Sequence, residues 1–244
     1  MNCLILAAGR NSRLDTGIPK SLVDVKGERL MERHFRIFSG LGITNFCVIS
    51  GYGADRINEE VPKIAEKYGV KVTILHNERF DLENGFSVYR AKEWAEENKL
   101  DDFFLTMGDH IFEKDFVSEF IKQTSDQSST LELAVDVPGE SNSHVDIEDV
   151  TKVLVDDKGF IQSIGKGIPS YTHYDTGLFR LKAEIFDRFT ESFEENRYTI
   201  SDTVNKLVAN QQAKVTVIEG YTWNDVDNPS DLEITKKLLE KRSF

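Results

Sequence analysis

Short apolar runs alternate with longer amphipathic stretches through the first half of the chain, and that rhythm predicts the fold before any chemistry is considered. Residues 2–6, 45–50, 71–76 and 102–107 are compact apolar runs and predict buried strands. Between them, residues 30–41 place Met31, Phe35, Phe38 and Leu41 on one helical face. Residues 55–68 keep helical spacing, with an interruption expected at Pro62, and residues 84–97 form a third amphipathic stretch. Residues 114–124 follow, with Phe116, Phe120 and Ile121 inward. Strand–helix alternation of this kind predicts a parallel sheet with helices on both faces.

After residue 128 the rhythm changes. Strands are expected over residues 130–137, 151–155, 160–164 and 174–182, with Asp157-Lys158-Gly159 as the turn between the second and third. Helices over 183–194 and 201–210 and a strand over 214–219 follow, and Pro229 opens a terminal helix in its favoured first-turn position. These later strands extend the same sheet. The expected fold class is α/β: one domain over residues 1–244 with a mixed, mostly parallel central sheet and helices on both faces.

Composition narrows the function classes. The formal net charge of −12 disfavours nucleic acid as a general partner, because a phosphate backbone attracts lysine and arginine. It leaves room for a local basic pocket. No stretch approaches the ~20 apolar residues of a membrane span, and the apolar run 3–8 is too short for a signal peptide. A cytoplasmic protein with no membrane insertion is expected. The two cysteines, Cys3 and Cys47, each sit in an apolar run and are expected to be buried and unpaired.

The segment Leu6-Ala7-Ala8-Gly9-Arg10-Asn11-Ser12-Arg13-Leu14 follows the first strand directly. Small residues there let the backbone approach a ligand, and backbone N–H groups can cradle phosphates. Arg10 and Arg13 add charge, and Ile18-Pro19-Lys20 supplies a lysine behind a stiffened turn. The segment is neither a Walker P-loop nor a dinucleotide fingerprint. Two acidic sites lie farther on: Gly108-Asp109-His110 at the end of the fourth strand, and Trp223-Asn224-Asp225-Val226-Asp227-Asn228-Pro229 after the last. In a doubly wound sheet both can face one crevice, where two carboxylates suit Mg²⁺, a hard ion that prefers oxygen ligands.

Leu6-Ala-Ala-Gly-Arg with Arg13-Leu14 and Pro19-Lys20 resembles the signature of the sugar-nucleotidyltransferase (pyrophosphorylase) superfamily. The resemblance implies a Rossmann-like domain with the nucleotide at the carboxyl ends of the strands. It implies Asp109 as one metal ligand and Asp225 as the other, with Asp227 an open alternative. Glu83-Asn84-Gly85-Phe86-Ser87 resembles the base-reading segment of the cytidylyltransferases in this group. Together with Tyr174-Asp175-Thr176-Gly177-Leu178-Phe179 and the terminal acidic motif, the chain is most similar to the cytidylyltransferases that act on inositol 1-phosphate, members of which supply CDP-inositol for di-myo-inositol phosphate biosynthesis.

That resemblance implies a division of labour. Residues 1–125 would bind CTP, residues 126–228 a small phosphorylated polyol, and residues 229–244 form the terminal helix. Leu6, Ala7, Ala8, Gly9, Arg10, Lys20, Asn84, Gly85, Ser87 and Asp109 are the expected nucleotide contacts. Lys166, Asp175, Thr176 and Gly177 are the expected acceptor contacts, and Lys20, Arg13, Asp109 and Lys166 the expected catalytic groups. The expected reaction is an in-line displacement with no general base, so His110 is expected to be structural, and Asp202 to sit at a helix N-terminus. Many relatives fuse this domain to a membrane-embedded phosphotransferase; here such a partner is expected as a separate chain. Two other readings stay open. One is phosphocholine or a sugar 1-phosphate as acceptor, with Tyr171, Tyr174, Trp223 and Phe86 available for a choline cage. The other is a catalytically silent nucleotide-binding regulatory domain.

Overall fold

The computed structural model describes residues 1–10, 13, 14, 16–124 and 129–241. Asn11 and Ser12 of the glycine loop and residues 242–244 of the expected terminal helix lie outside the described residues. The chain runs β1 (Asn2–Ala7), β2 (Asp24–Val25), β3 (Glu28–Arg29), α1 (Leu30–Gly40), β4 (Asn45–Ser50), α2 (Ala54–Lys67), β5 (Lys71–His76), α3 (Asn84–Arg90), α4 (Lys92–Glu97), β6 (Asp102–Met107), β7 (His110–Phe112) and α5 (Lys114–Gln123). It continues through β8 (Leu131–Asp136), β9 (Lys152–Val155), β10 (Ile161–Gly165), β11 (His173–Lys182), α6 (Ile185–Glu194), α7 (Ile200–Val208), β12 (Ala213–Val217), β13 (Trp223–Asp225) and α8 (Pro229–Lys241).

Among the described residues, nine strands form one mixed sheet in the order β10-β9-β11-β6-β1-β4-β5, with β8 on β11 and β12 on β8. β6, β1, β4 and β5 are parallel, and β11 runs antiparallel to β6 and β8. The chain leaves β1 toward β4 and β5 and then returns to the other side of β1 as β6. The gap between the ends of β1 and β6 is therefore a topological switch point, where ligands bind in open α/β sheets.

Alternation along β1 builds a core on each face. Cys3, Ile5 and Ala7 pack with residues of α1, α2 and α5, whereas Leu4 and Ala8 pack with residues of α3, α4, α6 and α7. Cys3 and Cys47 are buried and free, and burial pushes both thiols up.

Three features differ from the pattern-based expectation. Helix α2 continues through Pro62 without a break: Asn58 and Pro62 both lie on its exposed face, while Ile57, Val61, Ile64 and Ala65 hold the helix on the core. The helix expected over 84–97 is two, α3 and α4, meeting at Ala91. A separate two-stranded ribbon joins β7 to β13, pairing His110 with Asp225. Its strands have three residues each, too short for a periodic signal.

Candidate active site

Backbone crowding places the first acidic group. The Gly108 N–H donates to the Leu6 carbonyl at 2.8 Å, and a Cβ on Gly108 would lie 2.8 Å from that same oxygen. Only glycine lets the end of β6 come this close to the end of β1, and Asp109 projects from there. Leu6, Ala8, Gly9, Asp109 and His110 line a cleft of about 340 Å³. Ala7, Lys20 and Gly108 line a smaller pocket beside it, which also reaches Leu6, Gly9 and Asp109. Arg10 does not line the cleft; its guanidinium lies 5.5 Å from the centroid of Phe80, whose ring does.

Lys20 begins a single 3-10 turn after Pro19 and reaches inward. Its ammonium donates to Asp109 Oδ2 at 2.9 Å and to Asp227 Oδ1. Burial alone would lower the Lys20 pKa, but Asp109 and Asp227 outweigh it and hold the amine charged. Burial likewise opposes ionisation of Asp109, but Lys20 and His110 hold its carboxyl well below the usual range. The carboxylate can only accept, so His110 Nδ1–H donates to Asp109 Oδ1 at 2.9 Å. Burial works against a charged His110, yet Asp109, with Asp225 and Asp227 farther off, raises it.

The second acidic site depends on the short ribbon, which is moored from several sides. Trp223 Nε1 donates to Asp136 Oδ2 at 3.0 Å, and Asn142 Nδ2 donates to the same oxygen at 2.9 Å. The Trp223 carbonyl lies 3.0 Å from His144 Nε2, and Val226 N–H donates to the Asp109 carbonyl at 3.0 Å. These contacts set Asp225 and Asp227 on the cleft wall. Burial raises the Asp225 pKa; His110 offsets part of this, while Asp227 and Asp109 add to it. The Asp225 carboxylate has no hydrogen-bond or ion-pair partner among the described residues.

The other half of the cleft comes from β11 and the loop before β9. Pairing of β11 with β8 shifts between Asp175 and Phe179, and Gly177 has φ +76°. This bulge turns Asp175 and Gly177 into the cleft. Thr176 departs from expectation: it is fully buried, and its hydroxyl donates to the Ala134 carbonyl at 2.8 Å. Alternation along the strand sends it to the opposite face. Lys166 lines the cleft and bonds Asp149, which also accepts from Arg13 Nη1 at 2.7 Å. Arg13 Nη2 donates to Asp227 Oδ2. The hydrogen bond from Lys166, against burial and together with Arg13, lowers Asp149 to about 2. Asp149 was missed by the sequence reasoning: it falls between the strands expected over 130–137 and 151–155 and in none of the motifs.

Burial pushes Asp175 up to about 6, with the Gly177 N–H and His110 pulling the other way. An acid raised on folding favours the protonated folded state. Its contribution is therefore complete below about pH 4 and is lost as pH rises toward 6. Asp175→Asn is expected to flatten that limb, so its melting temperature should change less than wild type between pH 4 and pH 7. An unchanged limb would assign it to another group.

On the opposite rim, Asn84 and Ser87 line the cleft, but Gly85 does not. The Gly85 N–H donates to the Tyr198 carbonyl at 3.0 Å, so its small size serves packing against the loop before α7. Asn84 Oδ1 accepts from Ile200 N–H at 2.9 Å, and Ser87 Oγ accepts from Asn77 Nδ2 at 3.0 Å. The Asn84 amide NH₂ and the Ser87 hydroxyl proton remain for a ligand. Asp202 forms a capping box with Thr199 at the start of α7.

The donors suit a hard divalent ion in one specific way. No group of three or more His, Cys, Asp or Glu residues that could hold a metal exists among the described residues. Asp109 and Asp225 or Asp227 offer carboxylates only, and one of them is unpartnered. That matches Mg²⁺, which takes one or two carboxylates and completes its shell with water and substrate phosphates.

Residues 3–144 match the family described as the MobA-like NTP transferase domain. The chain belongs to that family. It is 30% identical over 99% of its length to "Bifunctional IPC transferase and DIPP synthase" of Aquifex aeolicus, and 30% identical over 97% to the protein of the same name from Thermococcus kodakarensis. It covers 52% and 50% of those proteins, so it spans about half the length of the curated relatives it matches. Its fold is that of the inositol-1-phosphate CTP transferase from T. maritima, with a TM-score of 0.83 at 24% identity, covering 100% of this chain and 98% of that one. No helix among the described residues is long and apolar enough to cross a membrane.

Proposed function

We propose that the chain is a cytidylyltransferase that joins CTP to inositol 1-phosphate, forming CDP-inositol and releasing pyrophosphate with Mg²⁺. The observation that carries this reading is the convergence of Lys20, Arg13 and Lys166 with Asp109, Asp225 and Asp227 around one cleft at the switch point between β1 and β6. Lys166 lines the cleft with the carboxylates that suit a metal, Lys20 lines the pocket beside it, and Arg13 is tied to the cleft through Asp149 and Asp227, so cations that suit a triphosphate and an acceptor phosphate stand next to those carboxylates. The names of the full-length sequence relatives and of the structural neighbour support the same acceptor.

In this reading an oxygen of the acceptor phosphate forms a bond to the α-phosphorus of CTP as the bond to the β-phosphate oxygen breaks. The acceptor is already an anion near neutral pH, so no general base is required, and catalysis is positioning plus charge stabilisation. Lys20 and Arg13 carry the triphosphate, and Lys166 carries the acceptor phosphate. Asp175 and the backbone at Gly177 meet the polyol hydroxyls. Asn84 and Ser87 meet the base edge. Asp109 with Asp225, or Asp227 in its place, would hold Mg²⁺, whose chemistry is to neutralise charge on the α-phosphate. His110 orients Asp109. The nucleotide half is residues 1–125 and the acceptor half residues 126–228. The reading also carries a cytoplasmic location and a downstream phosphotransferase that consumes the product.

The choline alternative loses support from the geometry. Tyr171 and Tyr174 stack on each other with centroids 5.8 Å apart, and Phe86 stacks on Phe193 and Tyr198. Of the four aromatics proposed for a cage, Trp223 alone lines the cleft.

The test is pyrophosphate release with CTP, Mg²⁺ and, in turn, inositol 1-phosphate, phosphocholine and glucose 1-phosphate. Release with inositol 1-phosphate alone is expected. Release with another acceptor only would keep the mechanism and discard this substrate. No release with any acceptor or any triphosphate would leave a silent binding domain.

A further inference from the structure

Both oxygens of the Asp109 carboxylate are already engaged. His110 Nδ1 holds Oδ1 and Lys20 Nζ holds Oδ2, each at 2.9 Å. Each oxygen keeps a second lone pair, but a divalent cation bridging Asp109 and another carboxylate competes with one of these donors at the same oxygen. His110 is badly placed to leave. Its ring begins β7, lies 6.2 Å from the Phe112 ring, and is so close to Gly177 that a Cβ there would sit 2.6 Å from Nε2. Lys20 is the opposite case: a flexible four-carbon chain on a short turn at the edge of the cleft. Its ammonium also bonds Asp227, so it already stands between two of the carboxylates proposed to hold a metal.

Neither ion can exchange alone without loss. Withdrawing the Lys20 ammonium leaves Asp109 with His110 alone and Asp227 with Arg13 alone, and the two carboxylate side chains are only 26% and 15% exposed, where solvent screens little. Inserting a metal beside the ammonium sets two cations against the same Asp109 oxygen. A triphosphate resolves both problems, because it brings the metal to the carboxylates and offers the displaced ammonium a new anion. We propose that Lys20 is an internal cation that closes the metal position until a nucleoside triphosphate arrives, so that metal binding depends on nucleotide. The inference rests on the reading of this cleft as a metal–triphosphate site. It adds an order of events: the free protein holds lysine where the loaded protein holds metal.

The probe is Mn²⁺, followed by the electron paramagnetic resonance signal of the free ion, with no nucleotide and no acceptor present. Lys20→Met is expected to bind Mn²⁺ at least tenfold more tightly than wild type. Lys20→Arg, which keeps the charge, is expected to stay as weak as wild type. Equal affinity in wild type and Lys20→Met overturns the proposal, as does a gain in Lys20→Arg equal to that in Lys20→Met. A measurement on wild type alone covers the case of a variant that does not fold. Labelling of the Lys20 amine by an acylating reagent, read by mass spectrometry, should be slow and unchanged by Mg²⁺ alone. Faster labelling with Mg²⁺ alone shows that metal displaces the lysine unaided and overturns the proposal. These arms contain no acceptor, so their failure is distinct from failure of the pyrophosphate-release panel. An active panel without the affinity gain removes this inference and keeps the function.

Discussion

Asp109→Asn is expected to release pyrophosphate about 10³-fold more slowly than wild type at the same CTP, Mg²⁺ and acceptor concentrations. The amide keeps the size of the side chain and removes the charge that faces Lys20 and His110. In the proposed reaction it also removes the first metal ligand, so the loss should fall on kcat more than on KM for the acceptor. The protein should stay folded, because Lys20 retains Asp227. Lys20 and His110, overcoming burial, depress the Asp109 pKa, so its contribution to stability is present at neutral pH and in mild acid. It is lost only as pH falls through that low value. The stability difference between variant and wild type should therefore not vary between pH 5 and pH 8 on account of this group. Steady-state rates and a thermal melt check both statements. A loss below about tenfold would remove Asp109 from the reacting centre.

Gly85→Ala is expected to lower stability by about 2 kcal/mol net, equivalent to roughly 4–8 °C in melting temperature for a chain of this size. A Cβ there would fall on the Tyr198 carbonyl oxygen, with Phe189 Cε1 at 3.2 Å. The backbone has little room to yield, since the Gly85 N–H bonds that carbonyl and Asn84 Oδ1 bonds Ile200 N–H in the same contact. Better helix propensity of alanine returns about 1 kcal/mol of the clash. Thermal melting measures the first effect, and CTP affinity should fall with it, because Asn84 and Ser87 line the cleft from the same helix. A melting temperature within about 2 °C of wild type would mean that the loop before α7 gives way freely.

Several site features were legible because their signals are local. The glycine loop after β1, the lysine behind Pro19 and the aspartate after Gly108 each announce themselves by residue type next to a strand end. The core strands were legible for a similar reason: residues 45–50, 71–76 and 102–107 coincide with β4, β5 and β6. The ribbon of β7 and β13 was not, because three-residue strands carry no period and form only when distant segments meet. The unbroken α2 was not either, since burial of one face overrides a single proline on the exposed face.

Local chemistry in the sequence determined the class of fold and the kinds of groups near the strand ends. Which groups pair with which was decided only by the tertiary structure. Thr176 and Asp175 are neighbours in the chain, yet a strand sends one to Ala134 and the other to the cleft. Gly85 has the composition of a ligand contact and in fact receives the Tyr198 carbonyl. Asp149, Arg13 and Lys166 meet across sequence separations of 136 and 17 residues. Lys20 and Asp227 are separated by 207 residues and share a partly buried ion pair. Such pairings depend on the order of strands in the sheet and on where the returning chain is moored. A linear pattern specifies period and polarity along the chain, and contacts between distant segments are set by packing of the whole.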